Sequence, residues 1–181
     1  MNEDLKARIN RARELLTTSR HAAIATVNED GSPHNTPLRF LYDSKLQYIY
    51  WGSHPESLHS LNAARTGKVF VVIYDAMQRG GLYIKAENAH ALDGDELRKA
   101  LEVHNTFRIK EGSKPLTIDY YTGDSPQRMW SAKMTHFWVN STKRDAQGHV
   151  AKDGREEIIP SPTKLPYRLK AVGFDTRTAS R

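Results

Sequence analysis

Hydrophobic periodicity divides the chain at residue 21. Before it, Leu5, Ile9, Ala12 and Leu16 recur at steps of four, three and four with charge between them. That spacing predicts a helix lying with one face on a larger body. Thr17, Thr18 and Ser19 break the pattern. His21–Asn28 then places Ala, Ile and Val on both faces, predicting a strand buried on both sides, and Glu29-Asp30-Gly31 has hairpin chemistry. The next strand, 33–42, alternates Leu38, Phe40 and Tyr42 against Arg39 and Leu41. Pro37 inside it offers no backbone donor, so this strand belongs at an edge, at a bulge or against a ligand. Leu46–Trp51, Lys68–Tyr74, Gly81–Leu92 and His136–Thr142 read as four further strands.

Helices are predicted at Pro55–Ala64, from Asp93-Gly-Asp-Glu96 through about Phe107, and for a turn or two from Ser125-Pro126 through Ala132. In the second of these, Leu97, Ala100, Leu101 and His104 form the inner face. Closely spaced strands with hairpin turns indicate a mainly β chain with peripheral helices, a six-stranded antiparallel barrel or sandwich rather than a βαβ sheet. The length of 181 residues suits one domain, with 1–20 as its helix and 143–181 as a hairpin followed by an arm containing Pro160, Pro162 and Pro166.

Composition removes several classes of function. Mean hydropathy is low at -0.67, yet eight Tyr, five Phe and three Trp can fill a core. No run approaches the ~18 apolar residues of a membrane span, and the start does not read as a secretory signal, so the expected compartment is cytoplasmic. With no cysteine there is no disulfide, thiolate nucleophile or Cys-ligated metal. The net charge of +6 lies at the ends: five basic against three acidic residues in 1–20, nine against five in 143–181, and 13 of each between. A nucleic-acid surface would carry its cations as a stripe through the folded body, so no nucleic-acid partner is expected.

Candidate chemistry is sparse. No glycine fingerprint for a dinucleotide or P-loop is present, the eight histidines form no metal-ligand cluster, and no serine sits in a Gly-x-Ser-x-Gly elbow. One segment stands out, Trp51-Gly-Ser-His-Pro-Glu-Ser-Leu-His-Ser-Leu-Asn62, which leaves a strand and enters a helix. Its hydroxyls, imidazoles and free amides at a helix N-terminus suit a phosphate monoester, and Gly52 lets the backbone come close. The same residues also suit a plain serine-capped helix. Upstream, Arg39 is a lone outward arginine that reads equally well as a salt-bridged surface residue.

Taken in order, Ala23-Ile-Ala-Thr-Val-Asn-Glu-Asp-Gly-Ser-Pro33, the Pro-containing strand, Trp51-Gly-Ser53 and the Ser57-Leu-His59 helix start resemble the pyridoxamine 5'-phosphate oxidase-like family. These are FMN-binding split β-barrels. The likeness runs from about residue 5 to 160 and reappears at Arg128–Asn140 and Asp153-Gly-Arg155. It implies a flavin cleft between two subunits of a homodimer and oxidoreductase chemistry on a small molecule. Thr36, Pro37, Leu38, Arg39 and Phe40 would line the ring, and Ser53, Ser57 and His59 would hold the phosphate. Trp138 would close on the cofactor from the partner subunit, its neighbour Phe137 facing its own barrel, and Arg155 falls near a further flavin contact. There are departures. Leu58-His59 stands where the oxidase has Arg-Lys, Thr36 replaces an arginine so that Arg39 would supply charge, and Val150-Ala-Lys-Asp-Gly-Arg155 lacks the Arg-x-His substrate motif. Oxidation of pyridoxamine phosphate itself is therefore not expected. Two alternatives keep the fold and change the cofactor: a deazaflavin (F420), or haem with His54 or His149 as axial ligand. A third is a non-enzymatic module whose arm residues Lys164, Arg168, Lys170, Arg177 and Arg181 contact an acidic partner.

Overall fold

The computed structural model describes residues 3–74, 80–141, 144, 146–149 and 154–158, so Thr142 and most of the 143–181 arm lie outside the described residues. Helix α1 (Glu3–Thr18) buries Ala12, Leu15 and Leu16 and lays Leu5 and Ile9 on the main core. This is the stripe its spacing predicts. β1 (His21–Val27) and β2 (Pro33–Arg39) pair from His21↔Arg39 to Val27↔Pro33. Gly31 turns the hairpin at φ +83°, backbone that a residue without Cβ adopts freely. After them come β3 (Leu41–Tyr42), β4 (Tyr48–Ser53), α2 (Leu58–Thr66), β5 (Lys68–Tyr74) and β6 (Gly81–Ala91). α3 (Gly94–Lys110), a 3₁₀ turn (Ile118–Tyr121), β7 (Arg128–Asn140) and β8 (Arg155–Glu157) follow.

The strands form one sheet in the order β2-β1-β5-β6-β7-β4-β3, with β8 paired to β7. Every pairing is antiparallel, and the sheet curls into a mainly β split barrel with helices outside. Pro37 lies on β2, at one end of that order, where its missing donor interrupts no inner ladder. Ile24, Trp51, Val71, Ile73, Leu82, Ile84, Trp130, Ala132 and Val139 fill the barrel. A second cluster, Leu41, Tyr50, Leu92, Leu97, Ala100, Tyr121 and Met129, packs α3 and the 3₁₀ turn against the outside of β3, β4 and β7.

Several expectations are corrected. The strand over 33–42 is interrupted at Phe40, and together with β8 this gives eight described strands instead of six. β1 is buried on one face only: Ala22, Ile24 and Thr26 point inward while Ala23 and Ala25 are half-exposed. The third strand starts at Tyr48, not Leu46, because the Asp43 carboxylate accepts the Gln47 and Tyr48 amides at 2.7 and 2.9 Å and extends the turn. No helix follows Ser125-Pro126. The Ser125 hydroxyl donates to the Tyr120 carbonyl at 2.6 Å and accepts the Gln127 amide at 3.2 Å, yet no helix propagates, and β7 begins at Arg128, paired to Ser53, rather than at His136. α2 starts at Leu58, after Pro55 has been spent in the approaching turn. Asp93 occupies the N-cap of α3 without a side-chain capping bond.

Acid should weaken this fold through His104. Its Nδ1 lies 2.9 Å from the Tyr121 hydroxyl, and burial, reinforced by Arg108 and Arg39, pushes its pKa down to about 4. The unfolded chain then binds more protons than the native one below about pH 6.5. The stability contribution is complete above that pH and is lost as pH falls toward 4. Allowing for the half-exposed ring, the loss should be about 1–2 kcal/mol. Urea midpoints measured from pH 7 to 4.5 should show it, and His104→Gln should flatten the decline. An unchanged acid limb in that variant would assign the loss to other groups.

Candidate functional site

The turn from β4 into α2 gathers a compact polar cluster. Ser53 is the last residue of β4, and the barrel side of its strand also carries Ile49 and Trp51. Ser57 is the N-cap of α2, in extended backbone, and makes no side-chain capping bond to the helix. Its hydroxyl instead donates to the His54 carbonyl at 2.8 Å and meets Ser53 Oγ, Ser60 Oγ and His59 Nε2 at 2.9, 2.9 and 3.1 Å. Ser53 Oγ lies 2.6 Å from His59 Nε2 and 3.2 Å from Ser60 Oγ. Three hydroxyls and an imidazole therefore share one spot over the first turn of a helix, where the amides and the axial dipole favour an anion.

β2 supplies the second wall. Its alternation brings His34, Thr36 and Leu38 to the inner side. The His34 and His59 rings lie parallel, 4° apart with centroids at 6.4 Å, and His34 Nε2 is 2.9 Å from Thr36 Oγ1. Burial, then the neighbouring His34, lowers the His59 pKa, so this imidazole is neutral near pH 7. Below the cluster, Asn62 donates to Thr26 Oγ1 and Asn28 Oδ1 at 3.2 and 2.7 Å, tying α2 to β1.

The remaining residues of the 36–40 segment do not join it. Phe40 is a core side chain and Leu38 packs on that core. Pro37 faces outward opposite Ala23. Arg39 points the same way as Pro37 and pairs, together with Arg20, with Glu111 after the end of α3. Its charge is thus held away from the hydroxyl cluster. Arg39→Ala is expected to leave the affinity of any phosphate ligand within about twofold, since a pair this exposed contributes little beyond ~1 kcal/mol to the fold; a phosphate-competition titration checks it.

Trp138 and Arg155 mark a different surface. β7 points Phe137 and Val139 into the barrel and His136 and Trp138 outward, as the alternation predicts for Phe137. Cross-strand register aligns Ala23, Val72, Tyr83 and Trp138 in one outer row, with Ala25, Phe70, Lys85 and His136 in the next. The Trp138 ring stacks with His136 at 5.5 Å and with Phe70 at 6.2 Å. The Arg155 guanidinium lies 4.2 Å over the Tyr83 ring and 5.7 Å from Phe70, within cation–π range. Phe70, Trp138, Asn140, Gly154 and Arg155 line an open cavity of about 580 Å³. Arg8 of α1 braces this edge through Glu156 at 3.2 Å.

His34, Phe70 and Tyr83 line these two surfaces and were not singled out from the sequence, whereas Ser60 belongs to the hydroxyl-bearing segment 51–62 that was. His34 was reachable, since it lies two positions before Thr36 on one strand face. Of the two proposed haem ligands, His54 lies exposed before α2 with Nδ1 accepting the Glu56 amide at 3.1 Å, and His149 is exposed beyond β7. No described group of His, Asp or Glu is arranged to hold a metal ion, and no described helix is long and apolar enough to cross a membrane.

The family profile of pyridoxamine 5'-phosphate oxidase matches residues 10–153. No curated protein sequence matches significantly. Among solved structures, a Listeria innocua protein provisionally assigned as a pyridoxamine 5'-phosphate oxidase is 20% identical with a TM-score of 0.52, over 72% of this chain and 95% of that one. A heme binding protein from Mycobacterium smegmatis is 15% identical, TM-score 0.56, over 81% and 55%. A protein of unknown function from Agrobacterium tumefaciens is 19% identical, TM-score 0.58, over 82% and 60%. At these identities the likeness concerns the fold.

Proposed function

The chain belongs to the pyridoxamine 5'-phosphate oxidase family, and from that membership we propose that it binds FMN at the interface of a homodimer and serves as an oxidoreductase. The observation that carries this reading is the cluster of Ser53, Ser57, Ser60 and His59 over the first turn of α2. Its donors suit a phosphate monoester, and among the described residues no carboxylate belongs to the hydrogen-bonded cluster to repel one. Ser53, Ser57 and His59 would hold the phosphate, with Thr36 and His34 beside it.

The faces of the sheet support the dimer. His34 and Thr36 sit opposite Thr26 and Ile24, whose side chains point into the barrel. Trp138, Tyr83 and Phe70 lie on the outer side of the same sheet. A flavin spanning phosphate site and aromatic platform would therefore draw them from two copies. The half-exposed Ala23, Ala25, Phe70, Val72, Tyr83 and Trp138 form an apolar face suited to burial by a second subunit. Bound there, FMN would supply hydride or single-electron chemistry. The protein's own part would be to fix the phosphate, stack the ring system on Trp138 and exclude water.

Titration of the purified protein with FMN, deazaflavin and haem, with size measurement in each case, tests the reading. Saturable FMN binding by a dimer supports it. Absence of FMN binding below tens of micromolar, or tighter binding of either competitor, overturns it.

A further inference from the structure

We propose that the phosphate site acquires its positive charge by protonation, so that cofactor loading is coupled to proton uptake by the His34–His59 pair. The proposal rests on the FMN reading above and concerns how this same site is regulated. The cluster is built from hydroxyls and imidazoles, and among the described residues no lysine or arginine enters its hydrogen-bond network. A phosphate dianion placed against that network meets no permanent cation among the described residues. Two parallel imidazoles at 6.4 Å stand beside it, and imidazole is the side chain whose charge changes most readily near neutral pH.

In the free protein His59 is buried to 8% exposure, and its neighbour on β2 is a second imidazole, so a cation there is disfavoured twice. An incoming dianion reverses that balance, because an opposite charge within ~4–6 Å favours the protonated ring. A proton on His59 Nε2 finds two hydroxyl oxygens at 2.6 and 3.1 Å besides the ligand. The other surroundings leave His34 and His59 as the responsive groups. β1 and the residue after it contribute uncharged Thr26 and Asn28, bound by Asn62. The approach to α2 carries His54, held by the Glu56 amide, and the exposed Glu56 side chain. β6 meets the far end of α2 where the Ala89 amide donates to Gly67 O, and there Glu87 is paired with Lys85 and His90 with Glu96. Arg65, in the last turn, donates to the Val27 carbonyl.

The test is a pH series of FMN and riboflavin titrations by calorimetry on the full chain, from pH 6 to 8.5 in buffers of differing ionisation enthalpy. Linkage of one proton makes FMN affinity fall by up to about tenfold per pH unit above roughly pH 6.5, with matching proton uptake. Riboflavin, which carries the ring without the phosphate, should show a flat profile. His59→Lys, which makes the charge permanent, should flatten the slope of FMN affinity against pH, while His34→Gln should reduce that slope. FMN binding that is independent of pH, or equally steep for riboflavin, overturns the proton coupling alone. No FMN binding at any pH overturns the flavin reading, and the coupling with it.

Discussion

Joint replacement of Ser57 and His59 by alanine is expected to weaken FMN binding at pH 6.5 by roughly 10- to 100-fold, the loss of one charge-assisted hydrogen bond of about 1.5–3 kcal/mol. Riboflavin binding should change little, because on the proposed reading the two side chains would address the phosphate. The barrel should survive. Both residues lie on the first turn and N-cap of α2, whose anchorage comes from Asn62 on Thr26 and Asn28, from Ala63 in the core, and from Gly67 at the C-terminal end. Fluorescence titration of both ligands, alongside a urea unfolding curve, provides the measurement. Unchanged FMN affinity in the folded double variant would move the phosphate elsewhere.

The second large effect contrasts two tryptophans on one strand. Trp130 is 3% exposed inside the barrel, stacked on Trp51 at 6.3 Å. Trp130→Ala should cost about 3–5 kcal/mol of stability with or without ligand, the combined loss of transfer energy and packing. Trp138 lies on the opposite face against Phe70 and His136, and its removal should cost the isolated subunit only about 1 kcal/mol. Trp138→Ala should instead loosen the dimer and lower FMN affinity about tenfold or more. Sedimentation with and without FMN, together with urea midpoints, separates the two. A Trp138 variant that remains a tight dimer and binds FMN at wild-type affinity would remove this residue from the site; a large stability loss would make it a structural residue like Trp130.

Local chemistry made much of this molecule legible. The change of period at residue 21, the Asp30-Gly31 turn and the alternation of Phe137 against Trp138 are properties of neighbouring residues, which is why β1, β2 and the orientation of β7 could be read from them. The hydroxyl-rich entry to α2 was legible for the same reason, since Ser53, Ser57 and His59 lie within seven consecutive positions. Other features depend on distant partners. Ser125-Pro126 carries good helix-start chemistry, but the pairing of Arg128 with Ser53 makes the following residues a strand, and a ladder of interstrand bonds outweighs a local cap. Arg39 looked like a candidate cation until Glu111, 72 residues away, took it. His34 entered the cluster because β2 lies beside α2, and Phe70, Tyr83 and Arg155 met because β5, β6, β7 and β8 bring their outer faces into register. The sequence itself determined most of the short stretches that became strands and the hydroxyl-rich entry to α2. Only the tertiary structure decided which side chains share a face, because strand order and register, set by pairings far apart in the chain, carry that information.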